Sequence, residues 1–191
     1  NNYVFKIQPS DVSEAETIMK YIESKVENPN VVVLYEDGTV SNTLLNYYKE
    51  RLSKVKYTWT ILNYKKLPTK LSGRFMKDKK NIVINLIDRQ KEREDMVYAN
   101  GLLKKLTECK NYDITLFAQY SWTEFNNMDF ALLERLNYHF TLSYLNDYTN
   151  PNFVSFVKTY RENFKTEPDK IYAGMGYDII TYFVPLLIEK G

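Results

Sequence analysis

The sequence predicts an α/β sandwich, with helices on both faces of a mostly parallel sheet of about five strands. Three observations carry that prediction. Short β-branched or apolar runs alternate with stretches whose apolar residues recur every three to four positions, the order expected when strands are joined by crossover helices. The run Val31-Val32-Val33-Leu34 is apolar without alternation, as a parallel strand covered on both faces requires. Its 191 residues, with only six Gly and six Pro, are enough chain to bury a core and too poor in breakers for linker-like or collagen-like material.

The elements follow in order. Residues 3–7 read as a short extended strand ended by Gln8-Pro9-Ser10. Ser13 and Glu16 have the capping-box spacing that satisfies two orphan amides at a helix start. Ala15, Ile18, Met19, Ile22 and Val26 then form one helical stripe, stopped by Asn28-Pro29-Asn30. The first core strand is residues 31–35. After the turn Glu36-Asp37-Gly38-Thr39, a helix carries Leu44, Leu45, Tyr48 and Leu52 on one face. Residues 57–62 make a second strand and 71–77 a short helix. Residues 81–87 make a third strand, followed by a long charged helix with Met96, Ala99, Leu103 and Leu106 inward. Residues 113–118 are strand four, Leu132, Leu133 and Leu136 mark a brief helix, and residues 140–144 are strand five. Asn150-Pro151 provides a cap and a preset first-turn residue for a helix striped by Phe153, Phe156, Val157, Tyr160 and Phe164. A last helix is expected over 177–189, bent near Thr181 because Pro185 lacks an amide donor.

Composition excludes several function classes. Charge nearly cancels, with 26 Lys and Arg against 24 Asp and Glu, so the strong basic field of a dedicated nucleic-acid binder is missing. Lys65-Lys66 and the lysines around residues 77–80 read as a solvated face, with too few aromatics between them for a single-strand groove. The 17 Tyr and 10 Phe suit packed surfaces and stacking sites and argue against disorder. No stretch of about 18 apolar residues exists to span a membrane. Cys109 stands alone, so neither an internal disulfide nor a structural zinc site is expected. The first residues, Asn1-Asn2-Tyr3, have no Met and no signal-peptide pattern, and read as the start of a trimmed chain.

Motifs for chemistry are sparse. There is no run of glycines ending in Lys and Ser or Thr to cradle a phosphate, Gly174-Met175-Gly176 lacks the third glycine of a dinucleotide turn, and no Gly-x-Ser-x-Gly elbow occurs. The one histidine, His139, falls at the entrance of the expected fifth strand, away from the carboxyl-terminal strand ends. Glu36, Asp37 and Asp88 follow strands one and three and converge at one sheet edge. Three such carboxylates hold Mg²⁺ in response-regulator receivers. That pattern also needs a lysine after the last strand, where Leu145-Asn146-Asp147 stands, and a small hydroxyl after strand four, which runs into Gln119-Tyr120-Ser121-Trp122. Helix-capping acids are the plainer reading. No catalytic residue, metal site or cofactor is predicted. Ligands of open α/β sheets bind outside the carboxyl ends of the strands. Those ends offer Tyr35, Asp37, Asp88, Arg89, Tyr120 and Trp122 as hydrogen-bonding and stacking groups for a small polar ligand.

The order of pieces resembles a known family. Val4-Phe5-Lys6-Ile7-Gln8-Pro9-Ser10-Asp11, a helix, and then Val31-Val32-Val33-Leu34-Tyr35-Glu36-Asp37 is similar to the second lobe of type I periplasmic binding proteins, the branched-chain amino-acid type of solute receptor. Phe156-x-x-x-Tyr160-x-x-x-Phe164, Pro168 and Gly176-Tyr177-Asp178 before an apolar helix resemble that family's closing pattern. The resemblance implies a Rossmann-like three-layer lobe over residues 1–170 and a helix, 171–191, that returns to a first lobe preceding Asn1. It further implies a non-enzymatic receptor, in the periplasm or cell envelope, that closes on a small polar ligand such as an amino acid, a sugar or a cell-wall fragment. Some similar proteins carry peptidoglycan-binding LysM repeats upstream. Without its first lobe, the final helix would leave an apolar side for another chain, in the simplest case a homodimer.

Departures from the family are specific. The turn after strand one, Asp37-Gly38-Thr39-Val40, lacks the family's aromatic. Ile87-Asp88-Arg89 replaces a Gly-Gly turn, and Gln119-Tyr120-Ser121 stands where an acid would hold a ligand ammonium. Amino-acid binding therefore does not transfer from the resemblance. A scaffold or protein-interaction module on the same fold, with a degenerate cleft, is the alternative function.

Overall fold

The computed structural model describes residues 8–38, 40–67, 71–89, 91–169 and 172–190. The strand expected over 3–7 lies outside the described residues. The chain divides into two compact units, Asn1–Thr141 and Leu142–Gly191.

Among the described residues, the first unit is built on four parallel strands in the order β2-β1-β3-β4. They are β1 (Asn30–Tyr35), β2 (Thr58–Asn63), β3 (Asn81–Asn85) and β4 (Ile114–Phe117). Helix α1 (Asp11–Lys25) precedes β1, α2 (Asn42–Ser53) joins β1 to β2, α3 (Glu92–Thr107) joins β3 to β4, and α4 (Phe130–Arg135) follows. Alternate residues of one strand face opposite layers. Val31, Val33, Ile82, Ile84 and Phe117 pack with Ala15, Met19, Ile22, Tyr48 and Leu52 of α1 and α2. Val32, Leu34, Val83, Ile114 and Leu116 pack with Tyr98, Ala99, Leu102, Leu103 and Leu106 of α3 and with Leu133 beyond it. Two cores on the two faces of a parallel sheet make the three-layer α/β architecture that the uninterrupted run 31–34 anticipates.

Local chemistry explains the boundaries. Helix α1 is capped by Ser10, whose hydroxyl accepts the Ser13 amide at 3.2 Å. The cap thus lies three residues before the expected Ser13, and Glu16 instead pairs with Lys20 one turn on, at 2.8 Å. Ser41 caps α2 in the same way, accepting the Leu44 amide at 3.2 Å. The amino ends of the strands are pegged by buried asparagines. Asn30 Nδ2 donates to Asn81 Oδ1 at 2.9 Å, and Asn81 Nδ2 donates to the carbonyls of Met76 and Asp113. Each amide is satisfied, as burial of such groups demands.

The expected fifth strand is a correction. Residues 140–144 form no strand, and the sheet gains only an isolated parallel bridge between Phe117 and His139. The cause is the length of β4. It ends at Phe117, and the chain coils into a 3₁₀ turn at Tyr120–Glu124, so no edge remains for residues beyond His139 to pair with. The short helix expected over 71–77 is likewise reduced to a 3₁₀ turn, Leu71–Arg74.

The second unit contains α5 (Pro151–Phe164) and α6 (Tyr172–Lys190). Asn150 caps α5, accepting the Asn152 amide at 2.9 Å, and Pro151 occupies its first turn as expected. Helix α6 begins five residues earlier than its pattern predicts and runs through Pro185. Its early turn admits a close approach: a Cβ built on Gly174 would stand 2.5 Å from the Tyr144 hydroxyl and 2.7 Å from Asn146 Oδ1. Glycine is needed there because the 144–146 segment lies against the helix backbone. Burial beside Asp178 pushes the Tyr144 phenol up to about 12. Among the described residues, no helix is long and apolar enough to cross a membrane.

Candidate functional site

The strand order reverses between β1 and β3, since β1 leads outward to β2 and the chain then returns to β3 on the other side. At such a reversal the connections leave in opposite directions and open a crevice at the carboxyl ends of the strands. A cleft of about 330 Å³ lies at that edge. Its floor is Ile84, Asn85, Leu86, Phe117 and Ala118, and its walls come from the N-terminal turns of α1 and α2. Because α1 runs antiparallel to the strand it feeds, its first turn sits at this edge and brings Asp11 and Glu14 to the rim. Asp88, Gln119, Ser41 and Thr141 complete the polar lining.

The polar floor is held rigidly. Asn85 Nδ2 donates to Gln119 Oε1 at 2.8 Å, Gln119 Nε2 donates to the Asn85 carbonyl at 3.2 Å, and Tyr98 donates to Asn85 Oδ1 at 2.6 Å. Thr141 donates to Glu14 Oε2 at 2.9 Å. The rim is acidic through Asp11, Glu14 and Asp88, and among the described residues no Lys, Arg or His lines it.

The six residues expected at the site separate. Asp88 lines the cleft and is exposed. Arg89, the next residue, turns to Glu36, a carboxylate only 4% exposed. Its Nη2 lies 2.7 Å from Glu36 Oε2, Lys65 approaches Oε1 at 2.8 Å, and the guanidinium sits 5.0 Å from the Tyr98 ring centroid. This cluster around a buried carboxylate ties together the segments that follow β1, β2 and β3, so Arg89 holds the edge in shape instead of facing the cleft. Asp37 accepts the Asn63 side-chain amide at 2.8 Å, and Tyr35 is half-buried at the end of β1; neither lines the cleft. Tyr120 is exposed and packs on Phe140, with ring centroids 5.2 Å apart.

Trp122 is in the core. Its side chain is 0% exposed, and its indole donates to Asp95 Oδ2 at 3.1 Å. The 3₁₀ turn after β4 rotates the ring inward, where it stacks near Tyr138, whose hydroxyl donates to the Gln119 carbonyl. Asp95, in the first turn of α3, also accepts the Arg89 amide at 3.3 Å. Burial raises its carboxyl above the usual 3.8, and these two hydrogen bonds offset only part of that rise. The surface beside it forms a second, shallower cleft lined by Asp88, Arg89, Glu92, Asp95, Ser121 and Glu124.

The triad Glu36, Asp37 and Asp88 does not assemble, because Glu36 is consumed by Arg89 and Lys65 while Asp37 faces Asn63. Among the described residues, no group of three or more His, Cys, Asp or Glu is arranged to hold a metal ion. His139 is corrected in position: its bridge to Phe117 puts it at the carboxyl end of β4, beside the cleft floor. The residues missed at sequence level are Asp11, Glu14, Asn85 and Thr141. Two of them had a signal, since a helix feeding β1 must begin at the carboxyl-terminal edge of the sheet. No protein-family model, curated protein or solved structure matches this chain.

Proposed function

We propose that this chain is a non-enzymatic, receptor-like lobe that holds a small polar ligand at the carboxyl-terminal edge of its sheet. The observation that carries the reading is the cleft at the reversal of strand order, about 330 Å³ in volume, the size class of small-molecule sites. Its polar groups are Asp11, Glu14, Asn85, Asp88, Gln119 and Thr141. Rigid amides on the floor and carboxylates on the rim suit a ligand rich in hydroxyl or amino groups, such as an amino acid, a sugar or a cell-wall fragment. In the receptor that the sequence resembles, the first lobe closes over this edge, and a place in the periplasm or cell envelope belongs to the same proposal.

A thermal-shift titration of the chain against individual amino acids, monosaccharides and muropeptides tests it. A ligand present at 100 times its dissociation constant stabilises the folded state by about 2.7 kcal/mol. The expected result is a saturable upward shift that Asp88→Asn weakens without altering the unliganded melting temperature. No shift with any member of the three classes would sink the reading.

A second reading, a protein-interaction module, is favoured by one observation. Ile180, Val184, Leu187 and Ile188 form an exposed apolar row on α6, and Ile188 is 79% exposed. Sedimentation over a range of concentrations checks the simplest version, a homodimer: association that Leu187→Glu abolishes supports it, and a monomer at all concentrations refutes it.

A further inference from the structure

The outer edge of β4 is covered by a short segment, residues 137–141. Asn137 turns the chain with a φ of 42° and donates through Nδ2 to Thr115 Oγ1 at 3.1 Å. The His139 amide then donates to the Leu116 carbonyl at 2.8 Å, and the Ala118 amide to the His139 carbonyl at 3.1 Å. The imidazole stacks on Phe117, with centroids 5.0 Å apart and planes 18° apart, and meets Tyr21 of α1 at 5.3 Å. Two residues later Thr141 holds Glu14. Two main-chain hydrogen bonds at His139, two side-chain hydrogen bonds flanking it and two ring contacts of its imidazole thus dock a segment with one titratable ring at its middle.

That ring is placed to favour its neutral form. Nε2 is shielded from solvent and has no hydrogen-bond partner among the described residues. A neutral imidazole leaves there at most one unmet lone pair, whereas the protonated ring puts a charged N–H donor there with no acceptor, a much costlier defect. The groups facing the ring do not relieve it. Tyr21 comes from α1, Phe117 from β4 does not titrate, and Lys80, just ahead of β3, adds a like charge. Burial first and Lys80 second push the imidazole below its ordinary 6.5.

We infer that residues 137–141 are a pH-sensitive strap, docked on the edge of β4 while His139 is neutral and loosened when it takes a proton. The sign follows from linkage: a base whose protonated form is disfavoured in the docked state adds stability above its ordinary range, and that stability is lost as pH falls through the depressed value. Phe117 and Thr141 also line the cleft, so acidification would loosen part of its lining. That consequence rests on the cleft being a ligand site; the strap itself does not.

His139 is the one histidine in the chain, so a single pair of imidazole resonances reports its titration in the intact protein. The experiment follows that signal and the exchange of the His139 and Ala118 amides from about pH 8 to about pH 5, without ligand. The expected result is a midpoint below the ordinary 6.5, with several-fold loss of amide protection, corrected for intrinsic exchange, at the same midpoint. His139→Phe keeps the stack and removes the proton site, so its protection should be independent of pH; His139→Gln serves the same purpose if the phenylalanine variant folds poorly. A midpoint at or above 6.5, protection that ignores the titration, or an unchanged pH profile in the variants would overturn the strap.

Discussion

The two compact units treat apolar side chains differently. In residues 8–141 the sheet divides its residues between two faces, and α1, α2 and α3 cover both, so that Val31, Val33, Leu34 and Leu102 are wholly withdrawn from solvent. In the second unit α5 buries Phe153 and Val157, while the later part of α6 leaves Ile180, Tyr182, Leu187 and Ile188 exposed. A sheet supplies two faces and recruits a layer for each. A pair of helices supplies one shared seam, and a helix that is apolar over most of its surface has more than the seam can hold. The second unit is held by aromatic contacts, such as Phe156 with Tyr177 at 4.6 Å, and by the fit of residues 144–146 against Gly174.

The largest expected effect tests the first half of that contrast. Trp122→Ala should cost about 3–5 kcal/mol, the range for deleting a buried aromatic, and should leave Asp95 without its indole donor. Denaturant unfolding measures it. A loss under about 1 kcal/mol would return Trp122 to the surface and restore it as a ligand contact.

Next comes Gly174→Ala, which forces a methyl group into the Tyr144 hydroxyl and the Asn146 side chain. Overpacking of this kind costs about 1–3 kcal/mol, and hydrogen exchange should show it as lost protection confined to residues 142–190. By contrast Ile188→Ala, in the exposed row of α6, should change stability by less than about 0.5 kcal/mol. A larger loss would mean that this side chain is buried in solution.

The smallest effect concerns Asp95. Its carboxyl is raised by burial, so the folded protein binds that proton more tightly than the unfolded chain does. The charged form therefore opposes folding above the raised value, and the opposition disappears as pH falls through it toward the ordinary 3.8. Asp95→Asn removes this dependence. Melting temperatures of the two proteins should show the native chain gaining on the variant as pH falls from neutral toward about 4; a constant difference would contradict the burial of the carboxyl.

Local pattern made much of the architecture readable. Four strands and the principal helices fall within a few residues of their apolar periods, because a period of two or of 3.6 is written in consecutive residues. The candidate site was readable only at Asp88. Tyr35, Asp37, Arg89, Tyr120 and Trp122 occupy strand ends as expected, yet a residue's place along the chain does not set its side-chain direction. Arg89 turns aside because Glu36 is buried and negative, and Trp122 because a 3₁₀ turn carries it over α3.

The sequence by itself determined which residues form the layers of this protein and where the carboxyl-terminal edge of the sheet must lie, since strand polarity and crossover helices follow from the alternation. Only the tertiary structure decided how many strands pair, which acids remain free at that edge, and that His139 docks on Phe117. Those outcomes depend on groups distant in sequence competing for the same partners. Glu36 takes Arg89 across 53 positions, and β4 ends too early to offer residues 140–144 a row of hydrogen bonds.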